Sequence, residues 1–284
     1  MKKRRVHLRS KKTNKKHLIN TRDLEYIVEL VLLSGYIKNV DPLSLIISSK
    51  VGAGKTEIIK QYRNCRGVLF LTEATAYGIK SKYLDDIASG KIRHIVVGDL
   101  LVPLSKQKKT RDDFIAFLNT IIEEGVQAID TYAQHWSSDD RAVKVGLITT
   151  IAEPDLLRKS RRWFEIGFLS RAIPLTYAYS LPTKMKIYRH IATSDDISEI
   201  PPKKFWLPKN PVRVKPNKHL NLRLIEFAMQ MEKWQEVYGF RRLEQLQTLL
   251  MANALKNYRL RVTREDYDKI MKLSKYINLD FNKI

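Results

Sequence analysis

Cysteine is almost missing from this sequence: Cys65 stands alone, which excludes an intrachain disulfide and any cysteine-rich metal site. Such scarcity fits a reducing compartment. Long apolar runs are missing too. None reaches the roughly 18–20 residues that a membrane-spanning helix requires, and the basic N-terminus lacks the apolar stretch of a secretory signal. The expectation is a soluble cytoplasmic protein, with no membrane partner, in a prokaryotic cell or the host of a virus or mobile element. Acids are scarce relative to bases: 30 Asp and Glu face 52 Lys and Arg, a formal charge of +22 and a pI near 9.9. An excess of that size repels itself unless a polyanion is at hand, and nucleic acid is the first partner to consider.

What is present is enough for a core, since 44% of residues are hydrophobic. Residues 1–17 hold nine Lys or Arg and no acid, yet the remainder still carries +13. The basic character therefore belongs to the folded part as well. Short apolar runs predict strands over 43–48, 67–72, 92–97, 144–150 and 172–178. Helical patterns lie between them, beginning at Thr21-Arg22-Asp23-Leu24 and recurring over 56–62 and 111–124. Strands alternating with helices predict an α/β fold, a parallel sheet flanked by crossover helices. From Pro201 the texture changes: Pro201, Pro202, Pro208, Pro211 and Pro216 read as a linker. Only helical patterns follow, over 220–238, 241–258 and 263–277. The expected organisation is a basic flexible tail (1–20), an α/β domain (21–200), a Pro-rich linker (201–219) and a small all-helical domain (220–284).

The chemistry centres on Ser49-Lys50-Val51-Gly52-Ala53-Gly54-Lys55-Thr56. The phosphate-binding loop pattern is G-x-x-x-x-G-K-[ST]. Here Ser49 replaces the first glycine, Gly52 adds another, and Gly54-Lys55-Thr56 stand in place. Glycines let successive backbone N–H groups turn toward phosphate oxygens, and Gly52, Ala53 and Gly54 form that cradle. Lys55 would reach the β- and γ-phosphates, and the Thr56 hydroxyl would hold Mg²⁺. The implied cofactor is ATP with Mg²⁺. A metal-side carboxylate is expected at the end of a buried strand, and His94-Ile95-Val96-Val97-Gly98-Asp99 supplies Asp99. The next residue is Leu100, where a water-orienting glutamate is often found. Glu73, at the end of the run GVLFLT, is the nearest substitute. No histidine shows metal-ligand spacing, and His135 beside Trp136 reads as structural.

Three further stretches resemble AAA+ ATPases, in particular the helicase core of the minichromosome maintenance (MCM) type. Gly167-Phe168-Leu169-Ser170-Arg171 is similar to the element that carries the arginine finger in that family, with Ala172 where Phe is usual. Arg171 would then enter the ATP site of a neighbouring subunit, which implies a homo-oligomer, a ring or a filament. Arg241-Arg242-Leu243-Glu244-Gln245-Leu246, followed by Ala252, Ala254, Val262-Thr263 and Asp266, resembles the lid of such proteins. On that match Arg241 is the sensor-2 arginine, which touches the γ-phosphate. The third stretch, 123–154, resembles the hairpin that such proteins point at DNA, with its turn expected at Asp139 and Asp140. Thr149 or Thr150 ends the following strand, with Thr150 the candidate sensor, and Glu153 takes the place of a more usual Asn before Pro154. The resemblance implies a P-loop NTPase (AAA+-like) α/β fold with a helical lid.

Three basic stretches suit nucleic acid. They are Lys106, Lys108 and Lys109; Arg158, Lys159, Arg161 and Arg162 beside Trp163; and Lys203-Lys204-Phe205-Trp206 in the linker. The expected function is an ATP-dependent DNA-binding motor, a helicase or helicase-like replication protein, acting on single-stranded or duplex DNA. The alternatives are a helicase loader or transposition-type regulator, a nucleotide-gated DNA-binding module without efficient hydrolysis, and a small-molecule kinase.

Overall fold

The computed structural model describes residues 18–131, 134–138, 142–193, 200–235 and 239–277. Residues 1–17 of the expected tail lie outside them. The chain begins with α1 (Arg22–Ser34), β1 (Ser44–Ser49), α2 (Lys55–Lys60), β2 (Val68–Leu71), α3 (Ala76–Ala88) and β3 (His94–Val97). It continues with α4 (Leu101–Leu104), α5 (Lys108–Asn119), a π-helical turn (Thr120–Glu124), β4 (Ala128–Thr131) and β5 (Gln134–Ser137). Next come β6 (Gly146–Ala152), α6 (Glu153–Glu165), α7 (Phe168–Arg171), β7 (Ala172–Thr176) and α8 (Leu181–Thr193). The last helices are α9 (Lys218–Gln235), α10 (Phe240–Lys256) and α11 (Arg264–Leu273).

Five strands make one parallel sheet in the order β2-β3-β6-β1-β7. All five runs predicted as strands are in it. β1, β3 and most of β6 and β7 are buried, because helices cover both faces, whereas the edge strand β2 is only half-buried. Side chains alternate between those faces. Leu45, Ile47, Val96 and Ile148 join the apolar cluster with α1 and α2, while Ile46, Ile95, Val97 and Leu147 join the one with α3 and α5. Each fully buried Leu or Ile contributes about 1.5–3 kcal/mol.

Helices α9, α10 and α11 share the first cluster instead of closing a core of their own. Leu224, Leu246, Leu250, Ile270 and Leu273 pack in the same cluster as Leu30, Ile47 and Leu175. The linker is pinned along the same body: Val212 N–H donates to the Tyr36 carbonyl and Lys38 N–H to that of Val212. Lys203, expected as a cation for nucleic acid, instead pairs with Glu25 (2.9 Å) and Glu29 (2.6 Å) on α1. The pattern Val262-Thr263…Asp266 has a structural origin. Thr263 and Asp266 form a capping box at the start of α11, and the fully buried Asp266 accepts 2.8 Å bonds from both Arg259 NH groups.

The hairpin is present but lies elsewhere. β4 and β5 pair from Ala128↔Ser137 to Thr131↔Gln134, so the ladder lies wholly before the acidic pair. Asp139 and Asp140 lie outside the described residues. Ile129 and Trp136 face each other across the ladder and pack onto the second cluster, and Trp136 donates to Asp85 on α3 at 2.8 Å. That anchored pair sets the register.

His94 opens β3 fully buried, and burial lowers its pKa to about 3. A Cβ at Gly146 would collide with the His94 ring and with the Leu43 carbonyl, so only glycine fits there. The ring is neutral when folded and takes up a proton near pH 6.5 when unfolded. Its contribution is whole above pH 6.5 and is lost as pH falls toward 3, because only the unfolded chain gains the proton. Between pH 6.5 and 5 this costs about 2 kcal/mol. Denaturant titrations at the two pH values check it against His94→Gln, which should lose measurably less stability over the same interval.

Candidate functional site

The sheet delivers the glycine-rich loop at its C-terminal edge, where β1 ends and α2 begins. Gly52 and Gly54 both have φ of +77°, the left-handed region that glycine adopts without penalty. A Cβ at either would meet no protein atom within 4 Å outside its chain neighbours, so the requirement is conformational. Val51 at the tip is 80% exposed. The amides that open α2 have no acceptor within the helix.

Lys55 is the first residue of α2, and its ammonium donates to the carbonyls of Ser49 and Lys50 at 3.0 Å each. Burial lowers its pKa from the ordinary lysine value, against the opposing pull of Asp99 and then Glu153. Thr56 Oγ1 donates to the Gly98 carbonyl at 3.4 Å, and Asp99 follows directly. The hydroxyl expected on Mg²⁺ thus reaches the turn that carries the expected carboxylate, whose Oδ1 accepts from the Leu101 N–H at 3.0 Å. Among the described residues no group of three or more His, Cys, Asp or Glu is placed to cage a metal ion. One hydroxyl and one carboxylate do fit Mg²⁺, which keeps water and phosphate oxygens as its other ligands. Thr150 Oγ1 donates to the same Gly98 carbonyl at 2.7 Å, so the end of β6 is locked to the turn that carries Asp99.

Glu73 follows the strand beside β3, which leads to Asp99, but is set apart from the loop. β2 lies three strands from β1, roughly 14 Å at the usual strand spacing. Its carboxylate is exposed and held by Lys106 (its pKa lowered first by that hydrogen bond). Arg241 is not beside Lys55 either. It donates to Ser170 Oγ at 3.0 Å and pairs with Glu123 at 2.5 Å, and Arg171 pairs with the other oxygen of Glu123. The two arginines read separately from the sequence thus share one carboxylate. Gln245 holds the segment that carries them, donating to the carbonyls of Ser170 (3.3 Å) and Arg171 (3.1 Å), while Arg242 donates to that of Ala172.

Two of the basic stretches are neighbours. Lys108 and Lys109 stand exposed at the start of α5, and Arg162 of α6 reaches Asp112 of α5 at 3.5 Å. Part of the charge is spent locally, since Arg158 pairs with Asp155, Arg161 with Glu165 and Lys106 with Glu73.

Sequence reasoning missed two tyrosines. Tyr177 and Tyr179, just past β7, both donate to the Ala53 carbonyl, at 2.8 and 3.0 Å, while Ser49 Oγ donates to the Tyr177 carbonyl at 2.6 Å. Burial pushes both phenol pKa values up, so they remain donors. Their signal was faint: a Tyr-x-Tyr after an apolar run, which only the β1–β7 pairing turns toward the loop. Neither protein-family models nor curated protein sequences show a match to this chain.

Proposed function

We propose that this chain is an ATP-hydrolysing, DNA-binding motor of AAA+ type that works as an oligomer. The observation that carries the reading is the grouping of Lys55, Thr56 and the Asp99 turn around a loop built on two left-handed glycines. Lys55 would neutralise the β- and γ-phosphates, and the loop amides would bind their oxygens. Thr56 and Asp99 would hold Mg²⁺, whose chemistry there is to offset the charge on the transferring phosphoryl group. Two features favour an oligomer. Arg171 and Arg241 point at Glu123 instead of their own loop, and α8 carries an apolar stripe, Leu181, Met185, Tyr188 and Ile191, on its exposed side.

Nucleic acid as partner rests on the charge of +22 and on the adjoining α5 and α6 faces. Purified protein should turn over ATP faster with single-stranded or duplex DNA than without it. Its DNA affinity should fall by about 0.9 log units per log[salt] for each phosphate neutralised. A flat salt response and DNA-independent turnover would remove DNA from the reading. Unwinding of a forked duplex separates a helicase from a loader or regulator. One observation favours a nucleotide-gated binding module without efficient hydrolysis: Leu100, after Asp99, is fully buried and apolar. Lys55-dependent ATP binding with no turnover on any DNA would select that module.

A further inference from the structure

Leu100 is buried, and Glu73, next to the strand that leads to Asp99 but three strands from the loop strand, is paired with Lys106. That leaves the orienting carboxylate of an ATP-hydrolysing site to be sought elsewhere. Three observations converge on Glu153. The first is register. β1 and β6 run parallel with Ser49 opposite Ala152, so the next residue, Glu153, comes level with Lys50. The second is the lysine: the Lys55 ammonium rests on the carbonyls of Ser49 and Lys50, at that same level. Asp99 and Glu153 are the acids whose charge acts on it. The third is strand order. β6 lies between β3, which leads to Asp99, and β1, which feeds the loop. Glu153 therefore leaves the sheet in the cleft between the two halves of the site. As the first residue of α6, followed by Pro154, it sits on a rigid element, and it is only half-buried.

Resting on the ATPase reading, we propose that Glu153 is the catalytic carboxylate that orients the attacking water and accepts its proton. The water oxygen forms a bond to the γ-phosphorus as the bond to the β–γ bridging oxygen breaks. The electron pair of that bond stays on the leaving ADP. The water proton passes to Glu153 and then to solvent, and inorganic phosphate departs. Nothing is oxidised or reduced. Asp99 is left free for its metal-side role, and Lys55 offsets one of the two negative charges.

The test compares wild type, Glu153→Gln, Glu73→Gln and Lys55→Ala in the full chain. Affinity is read with a fluorescent ATP analogue and turnover by phosphate release. Glu153→Gln should bind within threefold of wild type and lose turnover by about 10²–10⁴, the range for a positioned general base. Glu73→Gln should turn over within threefold of wild type. Normal turnover by Glu153→Gln overturns the assignment, and so does a large loss in Glu73→Gln with none in Glu153→Gln. Equal loss of affinity and turnover in Glu153→Gln also overturns it, since the residue would then serve binding or folding. If the wild type itself binds no ATP, the ATPase reading falls and takes this assignment with it.

Discussion

Lys55→Ala should lower ATP affinity by about 100-fold or more and reduce turnover to background. The ammonium is a charge-assisted donor, and losing such a donor to a phosphate oxygen costs about 1.5–3 kcal/mol before any effect on the loop. There is a loop effect as well. The same ammonium ties the carbonyls of Ser49 and Lys50 to the first residue of α2, so the alanine variant also frees the strand end from the helix start. Stability should change little, because an exposed loop with few apolar contacts contributes little to the core. Titration with a fluorescent ATP analogue checks the affinity, and thermal unfolding checks that the variant is folded. Affinity within threefold of wild type would show that the loop does not bind phosphate through Lys55.

Arg171→Ala should behave differently, with ATP affinity near wild type and turnover reduced by about 10³–10⁵, the range measured for arginine fingers. The contrast follows from position. Lys55 is at its own loop, whereas Arg171 is 13% exposed and paired with Glu123 beside Arg241. On the proposed reading, a neighbouring subunit would have to place it at a γ-phosphate. Mixtures of Arg171→Ala with Lys55→Ala should therefore regain part of the turnover that each lacks alone, because the first supplies a sound loop and the second a sound finger. Arg171→Lys should recover little, since lysine keeps the charge but lacks the planar fork. Normal turnover by Arg171→Ala would overturn the finger assignment. The variant should remain folded. Glu123 keeps Arg241 as a partner, so losing one of its two ion pairs near the surface costs about 1 kcal/mol or less.

Much of the architecture was legible because strand and helix signals are local. LSLIIS, GVLFLT and KVGLITT are apolar runs of strand length, and each forms a strand of the parallel sheet within a residue or two. Several helices were not legible. α3, α6 and α8 carry mixed or basic sequences whose apolar positions are few, and α6 in particular read as a charged stretch. Only packing against the sheet through Leu156 and Trp163 reveals its inner face. The hairpin illustrates the opposite error. An acidic SSDDR looks like a turn, but cross-strand packing of Ile129 on Trp136 fixes a register that places the ladder over 128–137, ahead of it.

By itself the sequence determined the α/β class, the place of Gly54-Lys55-Thr56 between a strand and a helix, the Asp99 strand end and the basic excess, because each depends on neighbours along the chain. The tertiary structure alone decided which distant residues meet. Strand order puts β6 between the loop strand and the aspartate strand, and so sets Thr150 on the Gly98 carbonyl and Glu153 level with Lys50. It also sets Glu73 three strands from the loop strand, gathers Arg171 and Arg241 on one carboxylate, and turns Lys203 inward to Glu29. The physical reason is that parallel pairing order and register come from burial on both faces of the sheet, a property of the whole core that no short stretch of sequence encodes.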